Sequence, residues 1–266
     1  MGQIRFSIVV VCLNEGERLK AAIENIQRQT YADYEIIVKD GLSKDGSIEA
    51  LPADERIRVY RRRDTGIYDA MNQAVEEVKG DYVYFLNCGD AFYSEDVLRR
   101  VAEQIEEHQG RKNVIFYGDI KERVTGERVS SNPCMDAFGC YRNVPCHQAC
   151  FYSAELMRQK GFDLQYLVRA DYEHFLWCFF EGKADMVYMP MLIADYEGGG
   201  FSETRENRKR SEIEHREIVK KYMSDGQVLK YRILMMLSLA SLRTWISRNK
   251  ATAHIYNKLK ALVYKR

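Results

Sequence analysis

The amino-terminal half of the chain alternates short apolar runs with amphipathic segments. Residues 6–13 form a continuous run rich in β-branched side chains, the pattern of a strand buried on both faces of a parallel sheet. Similar runs predict strands at residues 34–38, 57–60 and 82–86, with helical spacing of apolar residues between several of them. This β-α-β-α order predicts an α/β fold with a mostly parallel central sheet flanked by helices.

The stretch covering residues 64–90 combines a loop, a helix, a strand and an acidic turn. Apolar residues recur at helical spacing over residues 70–78, and Gly80 ends the predicted helix. The tetrapeptide NCGD, residues 87–90, follows the next strand directly. Ligands of open α/β sheets bind at the carboxyl ends of the strands. Asp90, placed after a glycine that lets the backbone turn, is therefore predicted to hold a divalent cation.

The middle of the chain is predicted to add further strands and one long loop. Apolar runs predict strands at residues 114–117 and 149–152, and residues 121–128 have the pattern of a hairpin. Residues 130–145 contain two prolines and are predicted to form a loop of a length that is often functional. Residues 186–191 are strand-like, although a proline interrupts them.

The net charge of +1 conceals an asymmetry between the two ends of the chain. Residues 205–266 carry sixteen Lys or Arg and five Asp or Glu, so residues 1–204 carry a net charge of −10. We therefore predict a catalytic domain over residues 1–204 and a basic, helical extension over residues 205–266. The three glycines at residues 198–200 predict a hinge or a lid between them.

The carboxyl-terminal residues 227–266 show a basic amphipathic pattern. Such a pattern suits an anionic membrane surface. The alternative is that these helices pack on the catalytic domain or on a second subunit of a homo-oligomer. Nucleic acid is not expected as a partner, because no recognised binding motif accompanies the charge.

The cysteine pattern and the absence of long apolar runs predict a cytoplasmic location. The seven cysteines show neither CxxC pairs nor zinc-type spacing, which favours free thiols in a reducing compartment. We identify no signal-type segment, and no apolar run approaches the roughly 20 residues needed to span a bilayer. The basic tail would allow peripheral association with the inner face of the plasma membrane.

Two common nucleotide-binding motifs are absent. No GxGxxG follows the first strand. In residues 41–47, Ser47 follows the second glycine at the position where a phosphate-binding P-loop has its lysine. A dinucleotide dehydrogenase is therefore disfavoured. A bound nucleotide would be held by side chains and turn amides instead.

Four runs resemble one known family when they are taken together and in order. The runs are SIVVVCLNEGERL, QTYADYEIIVKDGLSKDGS, DTGIYDAMNQAV and GDYVYFLNCGD. They resemble the amino-terminal half of family 2 glycosyltransferases with the GT-A fold, of the group that builds bacterial surface polysaccharides, over roughly residues 5–200. The resemblance implies inverting transfer of a hexosyl or N-acetylhexosaminyl group from a nucleotide-diphosphate sugar to a hydroxyl of a saccharide or lipid-linked acceptor. It favours a UDP-sugar over a GDP-sugar and implies Mg²⁺ or Mn²⁺ as cofactor.

The resemblance also implies roles for individual residues on the donor side. Asp90 would hold the metal that bridges the diphosphate. Two departures from the family pattern are Gly89, where many relatives carry an acidic residue, and Cys12-Leu13, where Thr-Tyr is usual. The residues implied to bind the nucleotide sugar are Cys12, Asn14, Glu15, Asp40, Ser43, Asp64, Asp69, Asn72, Asn87 and Gly89.

Three residues are candidates for the acceptor side. Asp171 lies at the first turn of a predicted helix, in the Asp-x-Glu context in which the family has its general base. Glu173 is the reserve candidate for that role. His147 belongs to an HQ pair that the family has near the acceptor cleft. The alternatives are a helix cap for Asp171 and a locally hydrogen-bonded side chain for His147.

Two other functions stay open at this point. A non-catalytic protein that binds the donor, or that scaffolds a synthesis complex, is compatible with the single aspartate of the metal motif. A sugar-1-phosphate nucleotidyltransferase also uses a metal and an α/β fold. It normally needs a Gly-rich, basic loop after the first strand, where this chain has Asn14-Glu15-Gly16-Glu17.

Overall fold

A computed structural model describes residues 4–198 and 204–237, together with residues 254 and 258. Most of the predicted glycine hinge and the tail beyond residue 237 therefore lie outside the described residues. The strands are β1 (Phe6–Cys12), β2 (Tyr34–Asp40), β3 (Ile57–Arg61), β4 (Tyr82–Phe85), β5 (Ala91–Phe92), β6 (Val114–Glu122), β7 (Arg128–Val129), β8 (Cys150–Ser153) and β9 (Asp185–Tyr196).

Helices separate most of these strands along the chain. Amphipathic faces explain why α1 and α3 form on the sheet, since buried residues recur in them at three- and four-residue spacing. The helices are α1 (Glu17–Gln27), α2 (Ile67–Val75), α3 (Val97–Glu107), α4 (Ala137–Arg142), α5 (Ala154–Gln159), α6 (Ala170–Phe180), α7 (Arg205–Tyr222) and α8 (Asp225–Leu237).

The strands form one mixed, nine-stranded sheet in the order β3-β2-β1-β4-β8-β6-β9-β5, with β7 paired to β6. Strands β3, β2, β1 and β4 lie side by side in that order and are all parallel, and β6 is parallel to β9. Strand β8 runs antiparallel to both β4 and β6 and joins the two groups. The predicted α/β fold with a mostly parallel sheet is confirmed. The carboxyl ends of β1, β2, β3 and β4 meet at one edge.

The sheet is buried on both faces, as the first apolar run predicts. Phe6, Ile8 and Val10 of β1 pack in a core with α1 and α3, whereas Val9 packs in a second core with α2, α5 and α6. This alternation explains why an uninterrupted β-branched run forms a strand here.

Helices α7 and α8 pack on the α/β body as far as the structure describes them. Ile218 and Val219 of α7 and Tyr231 of α8 are buried in the second core, together with residues of α6. The sequence left this arrangement open as the alternative to a membrane-bound tail. No helix in the described part of the chain is long and apolar enough to cross a membrane.

Two local features differ from the sequence-based expectation. Strand β9 continues through Pro190, which falls in a stretch where the register between β6 and β9 shifts. A missing backbone N–H is tolerated at such an irregularity because the ladder is interrupted there anyway. The predicted loop at residues 130–145 contains the short helix α4, whose N-cap Asp136 accepts a hydrogen bond from the Gly139 amide. The hairpin at residues 121–128 is confirmed by the pairing of β6 with β7.

Candidate functional site

The loops that follow β1 and β2 are interlocked at the carboxyl edge of the sheet. Asn14 and Leu42 both adopt left-handed backbone conformations, with φ of 55° and 76°. The Asn14 amide donates to Ser43 Oγ at 2.8 Å, and the Lys44 amide donates to Asn14 Oδ1 at 2.9 Å. Backbone strain of this kind persists only where surrounding contacts hold it, and it concentrates at ligand-binding sites.

Asp40, at the end of β2, organises this pair of loops. Its carboxylate has no exposed surface and accepts hydrogen bonds from the Ser43 amide at 2.9 Å and from Arg61 Nε at 3.0 Å. Cys12 Sγ lies 3.9 Å from Asp40 Oδ1, and burial together with Asp40 raises the pKa of Cys12 to about 12. The Asp40 carboxylate is therefore fully engaged by Ser43 and Arg61 in this structure.

A buried lysine ties down the next loop. Lys39 Nζ lies 2.8 Å from Asp64 Oδ2 and is 1% exposed. A Cβ on Gly41 would lie 2.9 Å from Asp64 Oδ2, so Gly41 allows this close approach. Asp69, at the start of α2, accepts hydrogen bonds from the Thr65 amide and hydroxyl. Asp64 and Asp69 thus shape the loop at residues 62–66 beside the β1 and β2 loops.

Asp90 lies just beyond the end of β4 and is nearly buried. Its Oδ1 accepts a hydrogen bond from the Glu197 amide at 2.9 Å. Burial, reinforced by the nearby Glu197 carboxylate, raises the pKa of Asp90 to about 6. A positive charge next to this carboxylate would favour its charged form and so offset the effect of burial.

An ion pair that the sequence did not predict fills the space beside Asp90. Arg18, in α1, pairs with the Glu197 carboxylate and donates to the Cys88 carbonyl at 2.9 Å. Gly89 has a left-handed φ of 101°, and a Cβ there would collide with both Arg18 and Glu197. The Arg18–Glu197 pair therefore occupies the space that a side chain at residue 89 would take.

The oxygen atoms near Asp90 are compatible with a divalent cation but do not form a complete cage. Within the described ranges, no three His, Cys, Asp or Glu side chains are grouped closely enough to hold a metal ion. Asn87 Oδ1 is buried, and it has no hydrogen-bond partner among the described atoms. Hard cations prefer oxygen ligands, and a bound diphosphate supplies several. The turn at residues 87–90 thus contains one buried carboxylate and one buried amide oxygen without a described partner, both of the oxygen type that such cations prefer.

Asp171 lies in the first turn of α6 and is half-buried. Tyr68 Oη, from α2, donates to Asp171 Oδ1 at 3.0 Å and also lies 3.1 Å from the Val168 carbonyl oxygen. Burial and the neighbouring Asp171 raise the pKa of Tyr68 well above its usual value. The phenol therefore stays protonated and donates, which orients the carboxylate. Sequence reasoning did not single out Tyr68, although its position in α2 beside the donor motif was available.

Two of the sequence-based candidates have side chains engaged elsewhere. Glu173 is fully buried, and its carboxylate lies 2.6 Å from Lys160 Nζ and 2.7 Å from Lys221 Nζ. The Asn72 amide group bonds both the backbone N–H and the carbonyl of Phe162, at 2.8 and 2.9 Å. These contacts engage both side chains in the fold, and the expected roles of Glu173 and Asn72 in the site stay predictions.

His147 is buried in the second core. Its ring stacks on Phe85 with the ring centroids 5.0 Å apart. Neither ring nitrogen has a hydrogen-bond partner in the part of the chain that the structure describes. Burial lowers the pKa of His147, so the ring is neutral at neutral pH. The expected alternative, a histidine satisfied by local hydrogen bonds, does not describe it.

Comparisons with known proteins agree with this architecture. A family model described as glycosyl transferase family 2 matches residues 7–145, more than half of the chain. The chain is 36% identical over 206 residues to a PGL/p-HBAD biosynthesis glycosyltransferase of Mycobacterium bovis, a match covering 75% of this chain and 79% of the relative.

Two solved structures are similar in fold. The mannosyltransferase PcManGT from Pyrobaculum calidifontis, in complex with GDP-Man and Mn²⁺, matches 100% of this chain and 89% of its own, with TM-score 0.65 and 15% identity. TarS 1-349 from S. aureus, in complex with UDP-GlcNAc, matches 86% of this chain and 70% of its own, with TM-score 0.59 and 13% identity. This chain covers 37% of a longer TarS chain. At these identities the likeness shows the GT-A fold alone. From the family match and the sequence relatives, the chain is an enzyme that belongs to glycosyltransferase family 2.

Proposed function

We propose that the protein is an inverting glycosyltransferase that moves a sugar from a UDP-sugar to a hydroxyl of a saccharide or lipid-linked acceptor in the synthesis of cell-surface polysaccharide. One observation carries this proposal. Asp171 is oriented by Tyr68, which belongs to the helix that follows the donor-side loop at residues 62–66. The candidate base is therefore linked directly to the donor side of the site.

The donor would lie across the carboxyl ends of β1, β2 and β4. The loops interlocked by Asn14 and Ser43, with Glu15 beside them, would hold the nucleoside, and the diphosphate would face Asp90. Arg18 and Arg123 flank Asp90, with Arg123 donating to the Gly89 carbonyl at 2.7 Å. Both guanidinium groups are close enough to attract an anionic leaving group.

A divalent cation fits this arrangement as a cofactor shared between protein and substrate. Asp90 and the Asn87 amide oxygen would hold Mg²⁺ or Mn²⁺. When bound, such an ion neutralises charge on a leaving diphosphate. Support comes from the raised pKa of Asp90 and from the Mn²⁺ in the structure of PcManGT.

Asp171 would act as the general base on the acceptor hydroxyl. A carboxylate that accepts the proton as the hydroxyl attacks contributes about 10²–10⁴ in rate. Attack on the anomeric carbon from the face opposite the diphosphate inverts its configuration. His147 is neutral and both its ring nitrogens are buried, so it would hydrogen-bond to the acceptor only after the surrounding core residues move.

The nucleotide and the place of reaction are part of the same proposal. The resemblance of the loop motifs favours UDP over GDP. Of the two solved proteins of similar fold, one is in complex with UDP-GlcNAc and the other with GDP-Man. The basic residues of the tail, and exposed apolar residues of α8 such as Leu229 and Met236, would bring the enzyme to an anionic inner membrane surface. Co-sedimentation with anionic but not neutral lipid vesicles tests this location.

A non-catalytic, donor-binding role is the second candidate function. Gly89 favours it, because an ion pair occupies the space that a second acidic side chain would use. Product formation distinguishes the two functions, since only the transferase yields a glycosylated acceptor.

Thermal stability in a panel of nucleotides tests the donor site. Binding to the native state alone stabilises a protein by about 2.7 kcal/mol at one hundred times Kd. We expect UDP with Mn²⁺ to raise the Tm of the parent and to leave the Tm of Asp90→Ala unchanged. The absence of a shift with any nucleotide would contradict the assignment of the donor site.

A further inference from the structure

We infer that Glu214, in the carboxyl-terminal extension, is a positioning residue for Asp171; this inference rests on the proposed function of Asp171 as general base. Glu214 is 4% exposed, although it is a carboxylate on an otherwise highly charged helix. It lies four residues before the buried Ile218, on the face of α7 that packs against the catalytic body.

The Glu214 carboxylate holds the turn that leads into α6. Its Oε1 accepts from the Leu167 amide at 3.0 Å, and its Oε2 accepts from the Val168 amide at 3.0 Å and the Arg169 amide at 2.9 Å. Arg169 is the N-cap residue of α6 and makes no side-chain capping bond of its own. The carboxylate therefore satisfies amides that would otherwise be left unpaired, at the helix end where negative charge is favoured.

The turn at residues 167–169, which Glu214 holds, is linked by hydrogen bonds to Asp171, the candidate base. Val168 donates its amide hydrogen to Glu214, and its carbonyl oxygen lies 3.1 Å from Tyr68 Oη. Tyr68 Oη in turn lies 3.0 Å from Asp171 Oδ1. A shift of the turn would therefore move both Asp171 and its hydrogen-bond donor.

A second contact from the same helix supports this arrangement. Arg169 Nε donates to Ser211 Oγ at 2.6 Å, one helical turn before Glu214. The extension therefore completes the acceptor side of the site.

Amide hydrogen exchange and steady-state kinetics of Glu214 variants test the inference. Glu214→Ala should increase exchange at the amides of residues 167–169, whereas Glu212→Ala, an exposed glutamate on the same helix, should not. Glu214→Ala should lower kcat about 10- to 100-fold, because small displacements of a reacting group have effects of this size. The donor KM and the UDP-induced shift in Tm should stay at parent values.

Glu214→Gln keeps one acceptor oxygen and should give intermediate exchange and intermediate kcat, which covers the case that Glu214→Ala does not fold. Two results would overturn the positioning role. One is a kcat equal to that of the parent in a Glu214 variant whose amide exchange has increased. The other is unchanged exchange at the amides of residues 167–169 in the Glu214 variants. Asp171→Asn separates this inference from the proposed function. If that variant keeps the parent kcat, the assignment of the base fails, whereas exchange still reports whether Glu214 holds the turn.

Discussion

Tyr68 Oη donates a hydrogen bond to Asp171 Oδ1 at 3.0 Å, although 103 residues separate the two along the chain. Tyr68 belongs to α2, which also carries the proposed donor-side residue Asp69, and Asp171 lies in the first turn of α6. The bond therefore fixes the direction of the Asp171 carboxylate relative to α2, and in the proposed function it would hold the candidate base in place beside the donor side.

Tyr68→Phe should lower kcat while leaving donor binding intact. A hydrogen bond to a charged group contributes about 1.5–3 kcal/mol, so we expect a decrease in kcat of about 10- to 100-fold. The phenylalanine ring can keep the packing of Tyr68 against Phe162. Initial-rate measurements over a range of UDP-sugar concentrations check this, and a change confined to the donor KM would contradict it.

Asp90→Asn should stabilise the protein without ligand and abolish its stabilisation by UDP and Mn²⁺. Because burial raises the pKa of Asp90 to about 6 in the folded protein, from 3.8 in the unfolded chain, the native state binds more protons between these pH values. Parent stability should therefore fall as pH rises from about 4 to about 6. Above that range the charged carboxylate should cost about 3 kcal/mol.

The variant should consequently be more stable than the parent at pH 8 and equal to it below pH 4, when no nucleotide or cation is added. With UDP and Mn²⁺ at pH 8, the parent should gain stability and the variant should not. Thermal unfolding as a function of pH measures both effects, with the exposed Asp185→Asn as control. A variant less stable than the parent at pH 8 without ligand would contradict the raised pKa.

Gly89→Ala should impair binding of the diphosphate more than its effect on folding explains. A Cβ at this position must displace the Arg18–Glu197 pair next to Asp90. Gly126→Ala is the matched control, because Gly126 also has a left-handed φ and a Cβ there meets open space. Both variants should lose comparable stability from backbone strain, about 1–2 kcal/mol. Only Gly89→Ala should weaken UDP binding in titration calorimetry; equal UDP affinities would contradict a role for this pair.

Much of the fold and part of the site follow from local sequence patterns. The strand of residues 6–13 and the acidic turn at Asp90 are set by neighbours in sequence, and parallel pairing then brings the ends of β1, β2 and β4 together. Asp171 was predicted at the first turn of a helix, and the structure places it there. These features depend on periodicity and on strand direction, which are readable from one sequence.

The remaining site contacts join segments that are remote in sequence. Arg18 and Glu197 are 179 residues apart, and no spacing rule connects them. Glu173 and Asp171 share one helix turn, yet packing of α7 buries Glu173 against Lys221 and leaves Asp171 on the side of Tyr68. One sequence feature indicated that Glu214 is buried: it lies four residues before Ile218, on the same face of the helix. Tertiary packing, which the sequence does not display, decided each of these cases.

His147→Phe should stabilise the protein and reduce transfer. The buried imidazole has no hydrogen-bond partner among the described atoms and stacks on Phe85, so an apolar ring should fit its place and remove an unpaired polar group. We expect a gain of about 1–3 kcal/mol in the free energy of unfolding. We also expect a higher acceptor KM, which kinetics with varied acceptor would show. His108→Phe, at the C-cap of α3, is the control. Unchanged kinetics in His147→Phe would remove His147 from the acceptor site.

The central claim is that Asp171 is the base of a glycosyl transfer. The most direct test incubates the parent and Asp171→Asn with UDP-sugars, Mn²⁺ and a panel of saccharide and lipid-linked acceptors, and measures glycosylated product by mass spectrometry. We predict product from the parent and about 10²–10⁴-fold less from the variant. The UDP-induced shift in Tm should be the same in both. Product formation by Asp171→Asn at the parent rate would contradict the account.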